Sequence, residues 1–325
     1  MITIEGRVGI KATILCDSIS EARIRFTTME IEYPRIILSE LNTHRMLPKN
    51  SASSRAIPFE KMQKQLTGMP VRFGAANPGM RDGGDHDAYV YNDTYGSTPV
   101  VAWHEAKLEA IKVSRSFYEA GYSKQIFNRL TEPWQMMKTV ISGTEWANFF
   151  WLRNHNAADP SLEELARCMK AAMATSTPQF LKAGEWHLPY VDSFNPSLGY
   201  KGQTFHLGDG VPISLDDAIK VSCARCAAVS YRNEDYSLAK CIEVYDKLVG
   251  SDRKHASAFE HQANPCQKRV LHKLLSGCVN IPSYPSTWEK GISHMDRNEQ
   301  LWSGPLKGWI QYRKLIDGEN HDRME

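Results

Sequence analysis

Apolar residues alternate with others through Val8, Ile10, Ala12, Ile14 and Cys16, with Lys11 and Thr13 between them. A period of two places the apolar set on one face, so this segment is a half-buried strand. Asp17 to Glu21 reads as a turn and Ala22 to Tyr33 as the returning strand. Alternation in that second strand slips between Phe26 and Met29, which marks a bulge. The chain therefore begins as a hairpin with an apolar face to cover. Pro34 suits the first position of a helix, where its missing N–H costs nothing. Ile37, Leu38 and Leu41 then give the buried face of a short helix that ends near Thr43. His44 to Ala56 is polar and unpatterned until Pro58 starts another helix.

The cover lies further on. Thr67 to Pro99 is rich in Gly, Pro, Asp and Asn and has no periodicity, a length of loop uncommon inside a compact domain. From Val100 to about Thr175 the pattern is helical, opening on Trp103, Ala106, Leu108, Ile111 and Val113 and punctuated by Pro133 and Pro160. Leu181 to Pro212 is irregular and aromatic-rich. Helical patterns return over Asp216 to Ala228, Tyr236 to Val249 and Gln267 to Leu275. The expected fold is α+β, an antiparallel sheet with a helical bundle, in one domain over 1–325. Its parts are a sheet segment 1–66, a long loop 67–99, a helical part 100–175 and a C-terminal part 176–325.

Composition narrows the function. Lysine and arginine number 39 against 37 aspartates and glutamates, so the basic excess of a non-specific nucleic-acid or membrane-surface binder is missing. An anion would have to be held by placed arginines. No run approaches the roughly 18 apolar residues of a spanning helix, and no apolar leader is visible. Seven scattered cysteines do not form a disulfide framework, and a reducing, cytoplasmic compartment is expected. Cys223 and Cys226 form a lone CxxC with no second pair to complete a zinc site. They read as buried structural thiols, and no metal is expected.

Four places carry polar residues that the patterns do not ask for. Thr43 to Arg55, THRMLPKNSASSR, could hold a phosphate on backbone N–H groups, the hydroxyls of Ser51, Ser53 and Ser54, and Arg55. It reads equally well as a solvated lead-in whose serines cap the next helix. Arg153 continues the stripe of Trp146, Phe149 and Phe150, so it either snorkels from a helix end or faces an anion. Arg129 stands near the helix break at Pro133, pointing into a cleft or exposed at a helix end. His255 to His261, HASAFEH, groups Ser257 and Glu260 around Phe259. Its histidines lie six apart, the wrong spacing for a metal pair on one helical face, and a capped helix start with exposed histidines is the plain reading. There is no GxSxG elbow, Walker loop or GxGxxG.

Together these four places resemble the flavin-dependent thymidylate synthase family. Its signature is Arg-His-Arg, seven residues, then Ser, with an Asn before that Ser and an Arg two beyond it. Here Thr43-His44-Arg45 leads to Ser53, with Asn50 and Arg55 in register, and Pro34 to Leu41 matches the lead-in. Arg129 and Pro133 meet the family's arginine four residues before a proline. Asn148, Phe149, Leu152 and Arg153 meet its Asn-Phe-x-x-Leu-Arg. Two motifs that usually open the family stand here in the C-terminal part, as CAAVSY (Cys226 to Tyr231) and HASAFEH. The order is circularly permuted, which a site assembled in space tolerates when termini lie close.

The resemblance implies one catalytic domain, with the signature loop in 1–66 and a permuted flavin-binding part in 176–325. It implies FAD as cofactor, with NADPH and methylenetetrahydrofolate as co-substrates. A methylene would pass to C5 of dUMP, and flavin hydride would complete dTMP. His44, Arg45, Asn50, Asn148, Ser230, His255, Ser257 and Glu260 would meet the flavin. Ser53, Arg55, Arg129 and Arg153 would hold the nucleotide, Arg153 and Ser53 in the catalytic role. A homotetramer with sites at subunit interfaces is implied.

Four positions depart from the pattern: Thr43 and Thr144 stand for arginines, Glu40 for Gln and Ser51 for Glu. Lys49, Arg313 or Lys314 are candidates to restore the lost charge. Glu40, where it reaches the base, would suit the amine of a cytosine nucleotide. Alternatives are therefore a flavin-dependent methylase or hydroxymethylase of dCMP, a non-catalytic nucleotide- or flavin-binding homologue, and a Cys- or metal-dependent hydrolase. Trp302 to Lys314 has no family counterpart and reads as a C-terminal strand or surface helix, or as a further wall of the site.

Overall fold

The computed structural model describes residues 1–79, 81–92, 94–194, 202–231, 237–251, 254–267 and 288–320, the side chains of Ser230 and Tyr231 excepted. In chain order the first elements are β1 (Thr3–Glu5), β2 (Lys11–Ser20), β3 (Arg25–Pro34), α1 (Leu38–Asn42), β4 (Lys49–Ser51) and α2 (Phe59–Gln63). Next come β5 (Val90–Tyr91), β6 (Gly96–Ser97), α3 (Pro99–Glu119), α4 (Lys124–Phe127), β7 (Met136–Gly143), α5 (Trp146–Arg153) and α6 (Pro160–Thr175). Then follow β8 (Gln179–Leu181), β9 (Asp192–Phe194), β10 (Thr204–His206), β11 (Pro212–Ile213), α7 (Leu215–Tyr231) and α8 (Leu238–Gly250). The last are β12 (Ala263–Pro265), β13 (His294–Met295), β14 (Leu301–Ser303), β15 (Leu306–Lys307) and β16 (Trp309–Gln311). The fold is α+β, with antiparallel sheets and several helices.

The main sheet runs β1-β2-β3-β7-β4, and β8 joins β2 in parallel. Alternation sends Met29, Ile31 and Tyr33 of β3, with Met137 and Ile141 of β7, to one face. There they meet Leu162, Leu165, Ala166, Met169 and Ala172, the apolar stripe of α6. Asp159 caps that helix by accepting from the amides of Ser161 and Leu162. On the other face Val140 packs with α7 and α8. Helix α6 therefore lies on one face of the sheet and α7 on the other, while α3 packs with α4 and the 3-10 turn Asn128–Trp134.

Beneath α7 the second face holds a polar chain. Ser18 Oγ bonds His187 Nδ1 (2.9 Å), and His187 Nε2 bonds Thr28 Oγ1 (2.8 Å). Thr28 Oγ1 bonds Ser142 Oγ (2.7 Å), which bonds His261 Nδ1 (2.8 Å). All five residues are fully buried. Burial holds both imidazoles neutral, with their pKa values pulled down to about 3.

Several sequence expectations change. Met136–Gly143, read as helix within 100–175, is a central strand, because Thr139, Val140 and Ile141 alternate faces between β3 and β4. The register shift lies in β2, where Leu15 is extra between Ile14 and Cys16, and not in β3. Pro34 ends β3 instead of starting a helix, and a 3-10 turn precedes α1. β4 emerges inside the segment read as unpatterned. Loop 67–99 contains the β5–β6 hairpin and packs Phe73 edge-on to Trp103 of α3. Leu108 and Val113 of α3 are exposed, not buried. Gln267 is described and exposed, while the remainder of the helix read to Leu275 lies outside the described residues. No described helix is long and apolar enough to cross a membrane.

Candidate functional site

The turn between α1 and β4 is where the signature segment meets α5. Arg153, at the end of α5, donates Nε to His44 Nε2 (2.7 Å) and Nη2 to Thr43 Oγ1 (3.2 Å). The His44 ring stands edge-on to Phe149, 4.9 Å between centroids. Burial, with Arg153 and Lys49 nearby, lowers the His44 pKa to about 4. The imidazole is therefore neutral near pH 7, and since Nε2 accepts from Arg153 its proton sits on Nδ1. Phe149 explains why Arg153 continues an aromatic stripe: the two residues grip the same histidine.

Two devices hold the turn. Lys49 Nζ folds beneath it, donating to the carbonyls of His44 (2.6 Å) and Leu47 (2.7 Å). Burial lowers that amine to about 8, against the opposing pull of Glu260. Gly143 at the end of β7 lies so close to Leu47 that a Cβ there would collide with its Cδ2. The absence of a Cβ at Gly143 lets the Leu47 side chain sit there without shifting.

β4 joins the turn to the C-terminal part. Asn50 is buried, and its Nδ2 donates to the Cys226 carbonyl of α7, the first residue of CAAVSY. HASAFEH forms a 3-10 turn, Ala256–Glu260, with Ala256, Ala258 and Phe259 buried. Glu260 pairs with Arg313 Nη1 (2.6 Å), and Gln311 Nε2 donates to the Glu260 carbonyl (3.1 Å). Burial pushes the Glu260 carboxyl upward, and Arg313 opposes it. The Trp302–Lys314 stretch is thus built against this motif through β16 and the turn after it. His261, read as exposed, is fully buried because Ser142 takes its Nδ1.

Beyond β4 an open cleft of about 650 Å³ is lined by Ser53, Arg55, Ser123, Lys124, Gln125 and His255. It brings the end of the signature segment against the first residue of HASAFEH, 200 positions away (255 − 55). Asn128 ties down the chain on either side of Arg55: fully buried, it donates Nδ2 to the carbonyls of Ser54 (2.8 Å) and Ile57 (2.9 Å). Ser54 also donates to Glu132 (3.1 Å), which Arg35 holds by an ion pair (2.8 Å).

The remaining expected residues are exposed or half-exposed. Arg45, Asn148 and Ser257 are exposed, and among the described residues none of their side chains has a hydrogen-bond or ion-pair partner. Arg129 is exposed as well and does not line the cleft. Glu40 is half-buried and accepts from Ser39 Oγ (2.8 Å). The side chain of Ser230 lies outside the described residues. Of the cations considered as replacements, Arg313 pairs with Glu260 and Glu319, and Lys314 with Glu319. The place of Thr144 is taken up by the Lys307 amide, which donates to its hydroxyl (3.1 Å), while Lys307 Nζ pairs with Glu145 (2.6 Å).

Cys223 and Cys226 are fully buried, and burial pushes both thiols upward, far from a reactive thiolate. No group of three or more His, Cys, Asp or Glu with metal-ligand geometry occurs among the described residues. Sequence reasoning missed Asn128, Lys124 and Lys307. Only Asn128 left a signal, a polar residue beside Arg129 with no helical-face role. Compared with protein-family models and with curated proteins, the chain matches none.

Proposed function

We propose that this protein is a flavin-dependent thymidylate synthase, converting dUMP to dTMP with methylenetetrahydrofolate as methylene donor and NADPH as reductant. The observation that carries the reading is the meeting of displaced motifs. Ser53, Arg55 and His255 line one cleft, while Asn50 bonds Cys226. Motifs scattered in sequence and packed side by side are what a permuted site requires.

The donor set fits a flavin. Arg45, Asn148 and Ser257 offer free, exposed polar groups, and His44 on Phe149 offers a neutral, apolar-backed wall. These residues, with Asn50, His255, Glu260 and Ser230, would hold FAD. Bound there, it would supply the hydride that completes the methyl group. The chain's own residues bind and orient. Ser53 and Arg55 hold the nucleotide phosphate; a part for Arg129, which lies outside this cleft, rests on the motif resemblance alone. Arg153 keeps a fixed positive charge beside the pyrimidine, where it stabilises the negative charge that the ring has to carry before C5 can attack the methylene. No enzyme nucleophile is needed, in keeping with the buried thiols. The homotetramer implied by the resemblance belongs to the same proposal.

One observation favours a second substrate. Glu40 has no ion pair among the described residues, so its carboxylate is available to accept from the exocyclic amine of dCMP. Tritium release from C5-labelled dUMP and dCMP, with all co-substrates present, tests both. Release from dUMP supports the synthase; release from dCMP alone supports the second reading; release from neither contradicts both.

A further inference from the structure

The cleft carries more positive charge than the expected residues account for. Arg55 and Lys124 line it with His255, and the described lining includes no carboxylate. Among the described residues, no acidic group pairs with Arg55 or Lys124. The amine of Lys124 reaches only the Ala56 carbonyl, at 3.3 Å. Two cations sharing a wall without a counter-charge repel each other, and an anion between them reverses the sign of that interaction.

We infer that Lys124 is an anion-binding residue of this cleft, acting with Arg55 and Ser53 on a phosphate group. Lys124 of α4 thus adds a second cation beside Arg55 in this cleft. Arg313 and Lys314 add no such charge, because Glu260 and Glu319 neutralise them. Ser123 and Gln125 flank Lys124 and add a hydroxyl and an amide on the same wall. Arg and Lys play different parts here: a guanidinium grips two oxygens in a plane, while an ammonium acts as a point charge. That the phosphate belongs to a pyrimidine nucleotide rests on the function proposed above; that the cleft takes an anion rests on its lining.

The test is calorimetric titration of FAD-loaded protein with dUMP, and with deoxyuridine, which lacks the phosphate. Lys124→Met is expected to weaken dUMP about tenfold, the loss of one charge-assisted bond, and to leave deoxyuridine unchanged. Lys124→Arg is expected to stay within roughly threefold of the parent protein. Unchanged dUMP affinity in a folded Lys124→Met overturns the inference. If the parent binds no dUMP, the nucleotide reading fails and inorganic phosphate becomes the probe. Protection of the parent against thermal unfolding by phosphate, lost in Lys124→Met, then upholds the anion site. Phosphate protection that is absent, or the same in both, overturns it.

Discussion

Arg153 donates through Nε to His44 Nε2 at 2.7 Å, which ties the end of α5 to the turn after α1. The arginine also holds Thr43 Oγ1. An arginine at position 43 would bring two guanidiniums together, so Thr43 suits a chain in which Arg153 turns toward this loop. Arg153→Ala is expected to lower kcat/KM for dUMP by at least a hundredfold, the scale for losing one placed charge at a reacting group. Thr43→Val removes the weaker bond to Arg153 and the hydroxyl's own bond to the Glu40 carbonyl (2.7 Å), and is expected to cost less than tenfold. Steady-state kinetics of the two variants check the order.

The turn depends on a close approach. Gly143→Ala forces Leu47 to move, and overpacking of this kind costs about 1–3 kcal/mol. Urea unfolding should report that loss. Flavin affinity should fall beyond it, because the moving turn carries His44.

Asn50 is a buried tie between β4 and α7. Asn50→Ala leaves the Cys226 carbonyl without this donor, a loss of about 1–3 kcal/mol in unfolding free energy. Thermal denaturation of the variant is the measurement.

Acid stability follows from His187 and His261. Their pKa values lie near 3 in the fold, against about 6.5 when unfolded. The unfolded chain therefore binds more protons between these values, and stability falls as pH drops from about 6.5 toward 3. Each histidine contributes a slope of about 1.4 kcal/mol per pH unit within that window. Above pH 7 both are neutral in either state and contribute no slope. Replacing His261 by Gln is expected to flatten the acid limb of urea midpoints measured from pH 7 to 4.

Cys223 and Cys226 serve packing. The double replacement by Ala is expected to lower stability by about 1–3 kcal/mol through lost burial, yet leave turnover within about twofold. Abolished turnover in a folded double variant would favour a thiol-dependent hydrolase.

The hairpin of β2 and β3 was legible because one face is apolar and the other polar, and α6 because Pro160 and Asp159 mark its start. β7 was not. Its inner residues are covered on both faces, Ile141 by α6-side residues and Val140 by α7, so it reads as a short apolar run that a helix would also show. The site residues were readable as motifs, but not their partners. Nothing along the chain shows that Lys124 shares a cleft with Arg55, or that Lys307 meets Thr144, since tertiary packing alone sets those pairs. The burial of His261 is hidden for the same reason: its buried hydrogen-bond partner, Ser142, lies 119 residues away.

Motifs displaced along the chain are proposed to build one flavin and nucleotide site. The most direct test is the visible absorption spectrum of the purified protein incubated with FAD, passed through a desalting column, and titrated with dUMP or dCMP. Flavin is expected to be retained, and its bands to shift on adding one of the nucleotides. Both effects are expected to weaken in His44→Ala. Protein that emerges without flavin, or whose flavin bands respond to neither nucleotide, would contradict the proposed site.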